Sequence, residues 1–81
     1  MRAVITAHIC ATEVKDGFSD QFSYRLWGDD GLFYEDTISV RTACIFAAEL
    51  KGSSPFMDMM AAIAEKDSRH FAELVGRTFS D

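Results

Sequence analysis

Most of the features that identify an enzyme or a membrane protein are missing from these 81 residues. No stretch reaches the roughly 20 apolar residues needed to cross a bilayer, so the sequence predicts no contact with a membrane. There is no glycine-rich phosphate-binding loop, and the eight lysines and arginines form no stripe interleaved with aromatic residues. Because phosphate contacts need lysine and arginine, direct nucleic-acid binding is not expected. We predict a protein that is not an enzyme and has no cofactor.

Cysteine and proline are scarce, with two and one copies respectively. Thr6 and His8 interrupt the short apolar run at the start, which therefore does not fit a signal peptide. We expect a cytoplasmic protein, in which Cys10 and Cys44 stay reduced and behave as small hydrophobic residues. Hydrophobic residues make up 48% of the chain and include seven phenylalanines, enough for the core of one domain over residues 1–81.

The front half of the chain has the pattern of β-strands. Apolar and polar residues alternate over residues 3–14 and again from residue 21, and residues 32–36 suggest a third strand. Turn signals separate them, first at Asp16-Gly17 and then from Gly28 to Gly31. Because short connections favour antiparallel neighbours, this half predicts a three-stranded antiparallel β-meander.

The back half changes to helical spacing. Ser39 can cap a first helix, and Ser54 followed by Pro55 can begin a second. Asp67 and Ser68 are both good caps and predict a break there, although a single helix from Pro55 to Val75 also fits. We predict an α+β fold, β-β-β-α-α, with two or three helices packed on one face of the sheet. The predicted core residues are Ile5, Ile9, Phe22, Tyr24, Ile63 and Leu74.

The net charge of −5 lies entirely between Glu13 and Asp36. This segment has seven acids and two bases, whereas the rest of the chain has six of each. A localised acidic field suits a basic partner, although it also suits a face that only keeps the protein soluble. Trp27 lies within the segment and is a candidate interface anchor. The candidate partner-binding residues are Asp16, Asp20, Trp27, Asp29, Asp30, Glu35 and Asp36.

Other residues could carry chemistry, but their spacing argues against it. His8, Cys10, Cys44 and His70 include the ligand types of a zinc site, without the close pairs of zinc motifs. Cys44 beside a histidine could be a nucleophile, but its apolar neighbours indicate a buried, inert thiol. We therefore predict no metal site. Met59 and Met60 follow core spacing, and Met57 falls off that face and could mark a contact surface.

In size, acidity and compact mixed architecture, the whole chain resembles small phage-encoded inhibitors of the anti-CRISPR type. That group has no common motif, so the resemblance transfers no functional residue. It implies an inhibitor acting in the host cytoplasm, whose carboxylates replace phosphates on the basic surface of a nucleic-acid-handling protein.

The alternative is a small structural or regulatory subunit that dimerises through its sheet edge or its Met/Phe helix. A metal-binding protein or thiol enzyme has the least support. Both a monomer and a homodimer fit the sequence.

Overall fold

The computed structural model describes residues 1–11, 19–50 and 52–81, and the fold is α+β as predicted. A 3-10 helix precedes the last strand. In chain order the elements are β1 (Arg2–Ile9), β2 (Gln21–Trp27), β3 (Phe33–Ser39), α1 (Val40–Glu49), α2 (Pro55–Glu65), the 3-10 helix (Ser68–Leu74) and β4 (Thr78–Ser80). None of the described helices is long and apolar enough to cross a membrane.

Over the described residues the sheet has four strands in the order β3-β2-β1-β4, and every neighbouring pair is antiparallel. The predicted meander of β1, β2 and β3 is confirmed, but the predicted total of three strands is wrong. After the 3-10 helix the chain returns to the sheet, where β4 pairs with residues 2–4 of β1. The turn predicted at Asp16-Gly17 lies outside the described residues.

A β-bulge interrupts β1 and reverses its alternation. Ile5 pairs with Tyr24 and Ala7 pairs with Ser23, so Thr6 is an extra residue between two consecutive pairs. Beyond the bulge, His8 turns to the helix-covered face, and Ile9 takes the other face. The prediction that Ile9 belongs to the core is therefore wrong, because Ile9 is only half-buried.

Side-chain caps fix where the helices begin. The Ser39 hydroxyl accepts the N–H of Thr42 at 3.0 Å, and the Ser54 hydroxyl accepts the N–H of Met57 at 3.1 Å. The Asp67 carboxylate accepts the N–H of Arg69 at 2.9 Å and begins the 3-10 helix. Because α2 has already ended at Glu65, the structure has the break and not one continuous helix.

The core lies between one face of the sheet and the helices. Five of the six predicted core residues are buried, and Met59 and Met60 are fully buried with them. The fully or nearly buried apolar residues are Ala3, Ile5, Phe22, Tyr24, Ile38, Ala43, Met59, Met60, Ile63, Phe71, Leu74 and Phe79. The expectation that Cys44 is buried is wrong. Helix α1 packs against α2 and β3 through the face that holds Ala43, and Cys44 turns to solvent.

Candidate interaction surface

The predicted acidic residues do not form one continuous surface. Asp20 precedes β2, at the opposite end of that strand from the turn with Asp29 and Asp30. Its Oδ2 lies 2.7 Å from Nε2 of His8, and its Oδ1 accepts the N–H of Ala11 at 2.7 Å. Both oxygens of Asp20 therefore already serve the fold. Asp16 lies outside the described residues.

The turn between β2 and β3 exposes two aspartates. Gly28 donates its N–H to the carbonyl of Leu32 at 3.0 Å, and Asp30 Oδ1 accepts the N–H of Leu32 at 3.0 Å. Gly31 has a φ of 83°, which glycine adopts without the steric cost that a Cβ would add. Asp29 Oδ1 lies 2.7 Å from the amino group of Met1. This turn holds two carboxylates at the tip of the hairpin.

Glu35 and Asp36 are consecutive in β3 and therefore point to opposite faces of the sheet. Glu35 lies on the face that no helix covers, where its Oε1 is 2.8 Å from Nη2 of Arg25. Asp36 lies on the other face, accepting the Tyr34 hydroxyl and the N–H of Thr37, both at 2.7 Å. These bonds, the hydroxyl first, hold the pKa of Asp36 below its usual range, so its carboxylate stays ionised.

Two arginines and two aromatic rings form a row on the uncovered face. The guanidinium carbon of Arg2 is 4.4 Å from the ring centroid of Trp27. That of Arg25 is 5.6 Å from Trp27 and 5.1 Å from the ring of Phe33. These are cation–π distances, and they hold Trp27 half-buried in the row. No local sequence pattern indicates this row, because it depends on the register that places Arg2 and Phe33 on either side of Trp27.

Three consecutive large apolar residues are exposed next to these charges. Leu32 is 71% exposed, Phe33 59% and Tyr34 55%, at the beginning of the edge strand β3. Within β3 only Ile38, near the end of the strand, is buried, and the beginning of the strand is exposed. We call residues 27–36 the hairpin surface. It combines exposed apolar side chains with four carboxylates and contains no basic residue.

The two histidines considered as metal ligands contact aromatic rings or a carboxylate and, in the part of the chain that the structure describes, do not lie in a ligand cluster. His8 stacks on Phe22 with ring centroids 5.0 Å apart and meets the edge of Phe71 at 5.6 Å. His70 is exposed and places Nδ1 2.7 Å from Oε2 of Glu73. Within the described ranges, no three His, Cys, Asp or Glu side chains lie close enough to hold a metal ion. The histidines thus serve packing and surface pairing.

Comparison with known proteins adds no relative: no family model, no curated protein and no solved structure matches this chain.

Proposed function

We propose that this chain is a non-enzymatic, acidic protein-binding inhibitor whose hairpin surface contacts a basic, nucleic-acid-handling protein. The observation that carries the proposal is the coincidence of two features on one hairpin. Leu32, Phe33 and Tyr34 expose apolar area that a partner can bury, and carboxylates surround them. Exposed apolar residues that adjoin one another are typical of interaction sites, whereas single ones are not.

The two features have different roles in binding. Burial of the apolar side chains supplies affinity, mainly by slowing dissociation. The carboxylates steer a basic partner and accelerate association. Asp30 and Asp36 are the strongest candidates among them, because in the described part of the chain neither takes part in an ion pair, whereas Asp29 pairs with the amino group of Met1. Glu35 already pairs with Arg25, so a partner would have to share or displace that arginine.

The inhibitor proposal accounts for the concentration of acidic charge between Glu13 and Asp36. Carboxylates spread over the tip and both faces of a narrow hairpin can replace phosphates in a groove that normally holds nucleic acid. The general resemblance to phage-encoded inhibitors of the anti-CRISPR type supports the same target class and the host cytoplasm as the site of action. The alternative of a small dimerising subunit is favoured by the edge position of β3.

The test needs a partner, captured from a host lysate with the tagged chain and then purified. One variant neutralises the hairpin surface with D29N, D30N, E35Q and D36N. A matched control makes the same change in charge at four exposed acids elsewhere, with E49Q, D58N, E65Q and D81N. Circular dichroism must first show that both variants are folded.

We expect the hairpin variant to slow association about tenfold or more and the control to slow it about twofold. Because both variants lose the same net charge, the difference between them measures the contribution of the hairpin surface. Raising the salt concentration from about 0.1 M to 1 M should weaken wild-type binding, because the screening length falls from about 10 Å to about 3 Å. Nucleic acid should compete for the partner. Equal effects of the two variants, or a complex of the partner with nucleic acid and this chain together, contradict the proposal.

A further inference from the structure

The hydrogen bonds at the two ends of β3 establish which of its backbone groups face β2. At one end Gly28 donates its N–H to the carbonyl of Leu32, and at the other Val40 donates to the carbonyl of Asp20. Backbone groups of successive residues in a strand point to alternate sides. The even-numbered residues from 32 to 40 therefore bond to β2, and the N–H and C=O groups of Phe33, Glu35 and Thr37 face the open edge.

The two halves of this open edge differ. The Thr37 N–H is occupied, because it donates to Oδ1 of Asp36 at 2.7 Å. The backbone groups of Phe33 and Glu35 have no such acceptor or donor in the described part of the chain, and β3 has no strand on this side. The three exposed apolar residues coincide with this accessible half. An unpaired strand edge beside exposed apolar residues is a template for another strand.

We propose that two copies of this chain pair through antiparallel β3 strands, with the two-fold axis at Tyr34. This goes beyond the proposed inhibitor function and does not depend on it. In this register Phe33 of each copy exchanges both backbone hydrogen bonds with Glu35 of the other, and Tyr34 meets its own counterpart. The four new bonds use the accessible half of the edge and leave Thr37 outside the ladder.

The neighbouring registers are less favourable. An axis at Glu35 or Asp36 places like carboxylates directly opposite each other, which destabilises a strand pair. An axis at Glu35 also requires the Thr37 N–H, which Asp36 occupies. An axis at Phe33 requires Gly31 to pair with Glu35, but Gly31 has a positive φ and donates its N–H to Gly28 at 3.2 Å. Tyr34 is the remaining position.

Side chains are compatible across this axis. On the uncovered face, Phe33 lies opposite Glu35 of the second copy, whose charge is already compensated by Arg25 at 2.8 Å. On the other face, the two Tyr34 rings meet, and Leu32 of each copy lies opposite Asp36 of the other, whose carboxylate already accepts the Tyr34 hydroxyl at 2.7 Å. A ladder this short buries less than the roughly 800 Å² per partner of a standard interface, so the dimer depends on concentration. Because each copy carries −5, added salt should strengthen the dimer, opposite to its effect on a basic partner.

The test combines sedimentation equilibrium with cross-linking. We expect the wild-type mass to rise from monomer to dimer between about 5 µM and 500 µM, and to rise further at high salt. Single cysteines replace each residue from Leu32 to Asp36, and the wild type under the same mild oxidation measures any background from Cys10 and Cys44. Tyr34→Cys should cross-link most, since symmetry places its Cα about 4.5 Å from the Cα of its counterpart, within the range that a disulfide spans.

A charge on the axis should act selectively. Tyr34→Lys places two ammonium groups opposite each other and should weaken the dimer at least about tenfold, whereas Ile45→Lys on the exposed side of α1 should not. A monomeric wild type at 500 µM in high salt overturns the proposal. Maximal cross-linking at a position other than 34 contradicts the register. Either result leaves the inhibitor proposal intact, because that proposal depends on the hairpin neutralisations.

Discussion

Removal of the Phe22 ring is the sharpest test of the packing. Phe22 is fully buried, and its strand neighbours are His8 on one side and Ile38 on the other. Its ring stacks on His8 with centroids 5.0 Å apart and meets Phe71 edge-on at 5.4 Å. Phe22→Ala therefore removes a ring that contacts β1, β3 and the 3-10 helix at once.

The expected loss is a large part of the total stability. Truncating a buried phenylalanine to alanine costs about 3–5 kcal/mol, because the lost transfer free energy adds to the cost of the cavity. An 81-residue domain has a free energy of unfolding of roughly 4–12 kcal/mol at typical values per residue. At roughly 4–8 °C for each kcal/mol, the melting temperature should fall by at least about 12 °C, or the variant should be unfolded at 25 °C.

Thermal and urea unfolding measure this loss, with Phe33→Ala as the matched control. The control deletes the same atoms from a ring that is 59% exposed, and it should change stability by no more than about 0.5 kcal/mol. Both variants are measured at low protein concentration to keep the chain monomeric. If Phe22→Ala melts within about two degrees of the wild type, or if the two variants shift equally, the inward face of β2 is assigned incorrectly.

Two further predictions concern protonation and metals. Because hydrogen bonds from Tyr34 and Thr37 lower the pKa of Asp36 in the folded state, their stabilisation is present above the unfolded pKa and is lost as pH falls through the folded pKa. Tyr34→Phe should move this pKa up towards the usual value for aspartate in a carboxyl NMR titration, and no movement contradicts the bond. EDTA and a reductant should leave the circular dichroism and the melting temperature unchanged, and a loss of structure would return Cys10 and Cys44 to consideration as ligands or disulfide partners.

The sequence predicted the first three strands well, and it failed where one residue changed the phase of the pattern. Period-two alternation predicted Ile5 and Ile9 on the same face. The bulge at Thr6 places His8 inward instead. Nothing in the run of alternating residues marks the extra residue, because the choice is made by pairing with β2 and by packing of the imidazole on Phe22 and Phe71.

Short or partly packed elements were the other source of error. β4 has three residues, too few to show alternation, and it forms by pairing with β1. The apolar neighbours of Cys44 predicted a buried thiol, but that thiol is exposed. In the structure α1 contacts α2 and β3 and buries only Ala43 fully, so the apolar stripe is narrower than the sequence pattern suggests.

The sequence predicted which residue types make up the candidate site, but it did not predict how they are arranged in space. Charge counting found the acidic segment, but it could not separate Asp20, which binds His8 and the Ala11 backbone, from Asp36, which is exposed. The row of arginines and rings around Trp27 requires three strands in register, and no local spacing encodes that.

The shortness of β4 determines how a growing assembly of this chain would end. Two copies joined on β3 form one eight-stranded sheet whose outermost strands are both β4, each three residues long. A strand of that length presents too few unpaired backbone groups to bind a further β-strand. Association on β3 is therefore self-limiting: it closes as a symmetric pair instead of propagating as a fibre, which protects a protein with an apolar strand edge from polymerising.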